Sequence, residues 1–432
     1  MRPAITGLNQ EVPRKAMLRP TTLAMILAGG RADELNVLTY YRPKAAVPFG
    51  GFARVIDFAL SNLMNSGIEQ IAILSQYRSY SLINHIGTGA AWDMIGRYRG
   101  VSILPPFIDS EQNDWYRGSA DAVYKNLDFV RYHNPEEILI LSGDHIYQMD
   151  YRDVIAYHHE KNADLTVVCK RVARARASRF GMAHIDEEDG ERGGRLVSYQ
   201  EKKENPEGEW SSLTVLCFKP EVLYKALAEN QADKSFEFGR DIIPRLVKQG
   251  NRIYGYKFNG YWGYTRTVQE YWQANMDLLG DQPLIDMESW GIRTNLDHRS
   301  LRDYQPAHIG QNAEVSNSLI YNGCVVEGAI RNSILFPGVH VGDGSVIEDS
   351  VIFFSNTIGR ECCFKRMISD VNTVYEDRVE IGADLGAADE EITVVGWNNR
   401  VPVGTRLGRG ITVSPFLDRE KWLPEVESGR VL

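Results

Sequence analysis

The run Leu23-Ala24-Met25-Ile26-Leu27-Ala28-Gly29-Gly30 decides the fold class, because it is a short apolar stretch that breaks into a glycine pair. Similar runs occur at Gln70 to Gln76, Glu137 to Asp144 and Ala163 to Lys170, separated by longer mixed segments of helical character. Among those segments Val55 to Asn65 reads best as a helix, with Ile56, Ala59, Leu60 and Leu63 recurring at spacings of three and four. From Thr22 to about Leu279 this is a βαβ rhythm, which predicts a Rossmann-like α/β domain with a mostly parallel mixed sheet. The glycine pair falls at the carboxyl end of the first strand, where open α/β sheets bind ligands and where backbone amides approach phosphate or base closely.

After Gly280 the texture changes. Asp281 to Asp303 is polar with few periodic positions, and the sequence beyond Gln305 repeats loosely. Asn317-Ser-Leu-Ile, Asn332-Ser-Ile-Leu and Asp349-Ser-Val-Ile open successive units fifteen and seventeen residues apart. Glycines at 323, 328, 338, 342, 344 and 359 stand at the expected corners, where a tight turn calls for φ > 0. A single coil cannot bury its apolar face, so repeats of this kind stack, and a left-handed parallel β-helix is predicted in preference to a β-sandwich. The expected organisation is an N-terminal arm over 1–20, the α/β domain over 21–285, a linker over 286–305 and the β-helix over 306–432.

Composition narrows the function classes. The 432 residues carry 48 Lys plus Arg against 57 Asp plus Glu, a formal charge of -9, which opposes non-specific binding to nucleic acid or an anionic membrane. Anionic ligands must then be held by local basic groups. Five scattered cysteines form no C-x-x-C pair, which argues against a disulfide framework or a zinc site and fits a reducing cytoplasm. With no signal-like apolar region and no stretch long enough to span a bilayer, a soluble intracellular chain is expected.

The glycine pair gains specificity from its downstream neighbours. In order come Arg42-Pro43-Lys44-Ala45-Ala46-Val47-Pro48-Phe49-Gly50-Gly51, Arg54 to Asn62, Asp114-Trp115-Tyr116-Arg117-Gly118-Ser119-Ala120-Asp121, Ser142-Gly143-Asp144-His145-Ile146-Tyr147, Glu201-Lys202 and Phe238-Gly239-Arg240-Asp241. This ordered set resembles the ADP-glucose pyrophosphorylase (glucose-1-phosphate adenylyltransferase) family across its catalytic domain, and the repeats resemble that family's C-terminal β-helix. The resemblance implies a reaction in which the phosphate of glucose-1-phosphate attacks the α-phosphorus of ATP, releasing pyrophosphate and leaving ADP-glucose.

It also implies roles. Asp144 matches the family's Mg²⁺-binding carboxylate, Lys44 the lysine facing the triphosphate, and Lys202 the lysine holding the sugar phosphate. Leu27, Ala28, Gly29, Gly30, Gln76, Tyr116 and Gly118 match positions around the nucleotide. Gly181, Glu201, Ser212 and Trp262 match the sugar-phosphate side. The family is oligomeric, so a tetramer of identical or mixed subunits is implied.

Departures cut across these roles, besides Tyr41, which stands where some family members carry a lysine associated with a sugar-bisphosphate activator. Where the family reads Gly-Thr-Arg-Leu, this chain reads Ala32-Asp33-Glu34-Leu35, putting an anion where the family's arginine faces the leaving pyrophosphate. One charge pair about 5 Å apart at an effective dielectric near 20 is worth roughly 3 kcal/mol, and reversing its sign changes the interaction by about twice that. Tyr264 stands where a second metal-binding aspartate is expected, and a neutral phenol is a poor Mg²⁺ ligand. A water or a neighbour such as Asp121 is the alternative ligand. Thr214 and Leu216 replace a family glycine and tyrosine near the sugar. These departures lead to the expectation of weakened Mg²⁺ binding and a catalytically impaired partner subunit that modulates an active homologue. The competing expectation is an active adenylyltransferase with an altered metal site, supported by the retained Lys44, Asp144, Glu201 and Lys202.

Overall fold

The computed structural model describes residues 21–30, 32–107, 115–297, 303–385 and 391–432; the expected N-terminal arm and residues 298–302 of the expected linker lie outside them. Nine strands build the main sheet: β1 (Thr22–Leu27), β2 (Gln70–Leu74), β3 (Gly100–Leu104), β4 (Glu137–Ser142), β5 (Leu165–Arg171), β6 (Gly181–Ile185), β7 (Gly193–Glu201), β8 (Trp210–Phe218) and β9 (Ile253–Lys257). Their spatial order is β3-β2-β1-β4-β8-β5-β9-β7-β6. The first four are mutually parallel, and β8 then runs antiparallel between β4 and β5, so the sheet is parallel on one side and mixed on the other. Central strands β1 and β4 are buried along nearly their whole length, as a sheet covered on both faces requires. Helix α1 (Val55–Asn65) covers one face, with Ile56, Ala59, Leu60 and Leu63 all buried against β1 and β2 in a common core.

Past Gln305 the chain winds as a left-handed parallel β-helix, whose three faces are parallel sheets of six, seven and six strands among the described residues. The repeat read from the sequence has a direct cause. Asn317, Asn332 and Asp349 take left-handed corners at φ 44°, 47° and 49°, which Asn and Asp tolerate best among residues with a Cβ. Their side chains stack as a hydrogen-bonded column, Asn317 Nδ2 donating to Asn332 Oδ1 (2.8 Å) and Asn332 Nδ2 to Asp349 Oδ1 (2.6 Å). The serine after each corner turns inward, and its hydroxyl accepts from the backbone one coil on: Ser333 N to Ser318 Oγ, Ser350 N to Ser333 Oγ and Met367 N to Ser350 Oγ.

The glycine corners need correction. Gly323, Gly338 and Gly344 have φ near +75°, but Gly328, Gly342 and Gly359 do not. Those three are required by stacking, because a Cβ there would strike the backbone of the next coil.

Between the two bodies, Asp281 to Asp297 forms no helix or strand, yet Ile285, Met287 and Ile292 are buried in a core that both bodies share. The same core takes Leu35, Val37 and Leu38 from a 3₁₀ segment, Asp33–Thr39, kinked at Asn36. Asn36 Nδ2 donates to Thr412 Oγ1 of the β-helix at 2.9 Å. A buried ion pair, Arg42 Nη2 to Asp370 Oδ1 at 2.7 Å, adds a second fastening.

Candidate active site

At the carboxyl ends of β1 and β4 the sheet opens onto two contiguous cavities of about 500 and 320 Å³, which share Leu27, Gly30, Ser119, Ser142, Asp144 and Glu237. The smaller is lined by all seven residues expected around a nucleotide: Leu27, Ala28, Gly29, Gly30, Gln76, Tyr116 and Gly118. Gln76 accepts from Tyr116 N at 2.5 Å and its Nε2 donates to Tyr116 O at 3.4 Å, so one amide straps the Tyr116 backbone beside the glycine pair. Asn126 Nδ2 and Leu104 O hold the Tyr116 hydroxyl, which fixes the ring. Gly118 has no room for a Cβ, which would meet Phe236 O, whereas a Cβ on Gly30 would meet nothing. Gly30 therefore leaves its backbone open to the cavity.

The larger cavity is lined by Lys44, Asp144, Glu201, Lys202 and Ser212 among the expected residues. Gly181 and Trp262 are not on its wall. Gly181 lies behind, where a side chain would collide with Tyr199 and Glu201, and Trp262 packs edge-on against His145 at 5.6 Å. Sequence reading gave no role to several wall residues, among them Tyr199, Glu237, Arg240 and Arg266. Arg240 and Arg266 sit within or beside motifs that signalled the site. Glu237 accepts from the Ser119 hydroxyl at 2.5 Å and thereby joins the two cavities' walls.

Electrostatics centre on Lys44 and Asp144, whose Nζ and Oδ2 are 3.2 Å apart. Burial opposes charge on Asp144, but Lys44, His145 and the Ser142 hydroxyl outweigh it and hold the carboxyl well below the usual range. Burial pushes His145 down to about 4, so this imidazole is neutral at pH 7. Glu201 shifts the other way, raised by burial against the pull of Lys202.

Tyr264 and Glu34, the two departures, meet through one residue. Arg266 Nε donates to Glu34 Oε1 at 2.7 Å, and its Nη1 donates to the Tyr264 hydroxyl at 3.2 Å. Glu34 is thus not the bare anion that sequence reading implied, and the repulsion assigned to it is offset by an adjacent guanidinium. The Tyr264 ring joins Phe180, Trp262 and His145 in a cluster with centroids 4.7 to 5.5 Å from its own. Lys44 Nζ lies 5.3 Å over its face. Burial raises the phenol pKa despite Arg266, so Tyr264 presents no anion.

This donor set does not suit a resident Mg²⁺. Asp144 is one carboxylate already matched by an ammonium, and a Mg²⁺ held by one carboxylate needs substrate phosphates and water to fill its shell. No group of three His, Cys, Asp or Glu placed to hold a metal occurs among the described residues. Asp121 is not a replacement: it is fully buried and held by Arg117 at 2.7 Å and Lys125 at 3.5 Å. Thr214 sits in a bulge of β8 at φ 52°, a left-handed conformation unusual for a β-branched residue. No helix of the described residues is long and apolar enough to cross a membrane.

Residues 23–281 match the nucleotidyl transferase family, and residues 305–397 match the GlmU-like C-terminal hexapeptide family. A glucose-1-phosphate adenylyltransferase of Desulfitobacterium hafniense (strain Y51) is 39% identical over 401 residues, 92% of this chain and 99% of the relative. That of Desulforamulus reducens is 40% identical over 90% of this chain and 97% of the relative. That of Clostridium beijerinckii reaches 43% over 76% of this chain and 84% of the relative.

Proposed function

This chain belongs to the glucose-1-phosphate adenylyltransferase family, and on that premise we propose that it binds ATP and glucose-1-phosphate but turns them over poorly, serving as a partner subunit to an active homologue. The nucleotide base and ribose take the smaller cavity, with Gln76 and Tyr116 fixing its wall, and the sugar phosphate takes the larger. Lys202 holds the sugar phosphate, Glu201 accepts from sugar hydroxyls and Ser212 donates to an oxygen. In the family reaction a phosphate oxygen bonds the α-phosphorus while the α,β-bridging bond breaks and pyrophosphate leaves. Lys44 supplies positive charge to the triphosphate, and such preorganised charge is the main lever of phosphoryl-type transfer.

The observation that carries the impaired reading is Tyr264, a neutral ring packed under Lys44 with its hydroxyl taken by Arg266. A second carboxylate there would strengthen Mg²⁺ binding, whereas Asp144 alone, matched by Lys44, leaves the ion to be held chiefly by the nucleotide's phosphates. A second reading, an active adenylyltransferase with an altered metal site, is favoured by Arg266 itself, which restores positive charge beside Glu34.

Pyrophosphate release from ATP, glucose-1-phosphate and Mg²⁺ separates the two. Turnover at a typical enzymatic rate, about 1 to 10³ per second, overturns impairment. Light scattering is expected to show an oligomer, with a tetramer as the expected size. Mixing with an active homologue should alter that enzyme's response to sugar-phosphate effectors, because a silent subunit acts only by biasing a shared equilibrium. Identical effector curves with and without this chain in a verified complex would overturn the regulatory role.

A further inference from the structure

We propose that Arg266 receives the polyphosphate end of the nucleotide, and that Glu34 is an internal anion occupying Arg266 until a phosphate displaces it. The proposal rests on the reading that the cavity takes a nucleotide polyphosphate. Arg266 lines the larger cavity together with Gly30 and Lys44, and its side chain is 34% exposed. Its Nε is on Glu34 and its Nη1 on Tyr264, while Nη2 has no hydrogen-bond partner among the described residues.

A guanidinium binds carboxylate and phosphate oxygens through the same N–H donors, so the Glu34 carboxylate, held by the single Nε bond, occupies a place a phosphate oxygen would take. The bond is easily exchanged, because Glu34 is 45% exposed and solvent-exposed ion pairs are worth little. Of the cations nearby, Arg179 and Arg176 are otherwise engaged. Arg179, over the Tyr264 ring at 5.6 Å, is committed to Glu270 through both terminal nitrogens, and Arg176 bonds the same carboxylate.

Tyr264 gives the arrangement its reach. Lys44 lies over the ring face and Arg266 at the hydroxyl, so one neutral side chain separates two cations that would otherwise repel. Two cations on either side of a ring suit a chain of phosphates better than a single phosphate group.

The test is binding of inorganic pyrophosphate to the full chain by titration calorimetry in buffer without divalent cations. The set comprises the parent, Glu34→Gln, Arg266→Gln, the double variant and Glu34→Gln with Arg266→Lys. Glucose-1-phosphate affinity and thermal melting verify each fold. Removing the Glu34 charge should tighten pyrophosphate roughly fivefold, because a weak competitor leaves Arg266 and an anion that repels the ligand is lost. Adding Arg266→Gln should abolish that gain, and Arg266→Lys should keep part of it. If Arg266→Gln fails to fold, the comparison of Glu34→Gln with and without Arg266→Lys still decides, since a fork contact is weakened by lysine. An unchanged affinity in Glu34→Gln, or a gain that survives loss of the arginine, overturns the proposal alone. No pyrophosphate binding by the parent or any variant overturns it together with the polyphosphate reading.

Discussion

Lys44 and Asp144 meet at 3.2 Å with unequal exposure, the lysine side chain 4% accessible and the aspartate 33%. Removing either charge therefore has unequal consequences. Asp144→Asn leaves a buried ammonium without its counter-charge and should cost about 2 kcal/mol, whereas Lys44→Met leaves a carboxylate that water reaches and should cost under about 1 kcal/mol. Urea unfolding of the two variants checks the order, and equal or inverted losses contradict it.

On the impaired reading proposed above, restoring activity requires three substitutions. Glu34→Arg with Tyr264→Asp reinstates the family's charges at both departures. Arg266, already within reach of position 264, would then pair with the new carboxylate and spend it. Adding Arg266→Gly frees that carboxylate. Steady-state ADP-glucose synthesis should stay near the parent level in the double variant and rise well beyond the product of the component effects in the triple, as residues sharing one ligand do. A fully active double variant contradicts the role assigned to Arg266.

Thr214 holds a left-handed φ of 52° that glycine adopts without penalty. Thr214→Gly should stabilise the fold by about 1 kcal/mol, the strain relieved less the entropy glycine adds to the unfolded chain. Thr214→Val keeps the branched Cβ and should not. Denaturant midpoints of the two variants decide, and a destabilised glycine variant contradicts the strain.

Stability should fall on mild acidification. Burial holds His145 and His158 down to about 4, while both protonate near 6.5 in the unfolded chain, so unfolding takes up protons between those values. Their contribution is complete above about pH 6.5 and declines toward pH 4, by up to about 1.4 kcal/mol per pH unit for each imidazole. His158→Gln, whose Nδ1 partner is the Thr166 hydroxyl 2.9 Å away, should lessen the slope by one proton's worth without touching the cavity. An unchanged slope contradicts the assignment.

Much of this was legible in the sequence, for identifiable reasons. The runs around Met25 and Leu139 announced their strands because burial on both faces demands uninterrupted apolar residues. The column of Asn317, Asn332 and Asp349 was visible because stacking forces like residues into like positions. Position on the cavity wall followed from motif order for Gln76 and Tyr116, while Gly181 and Trp262 stand one layer back. What escaped was pairing across distance. Nothing local to Glu34 announces Arg266, 232 residues on, because only closure of the sheet and docking of its loops brings them together. Nor does a threonine at 214 advertise a positive φ, which is imposed by a bulge where β8 shifts register against β5.

The Asn36 to Thr412 hydrogen bond ties the segment bearing Glu34 to a coil near the far end of the chain. With Leu35, Val37 and Leu38 sunk in the shared core, that segment lacks the independence of a surface loop. Its amides should exchange with deuterium at the slow pace of the coil, and loosening the coil's edge should quicken them in step. Whatever grips the β-helix from outside thereby gains a handle on the Glu34 carboxylate, and through it on how long Arg266 stays occupied.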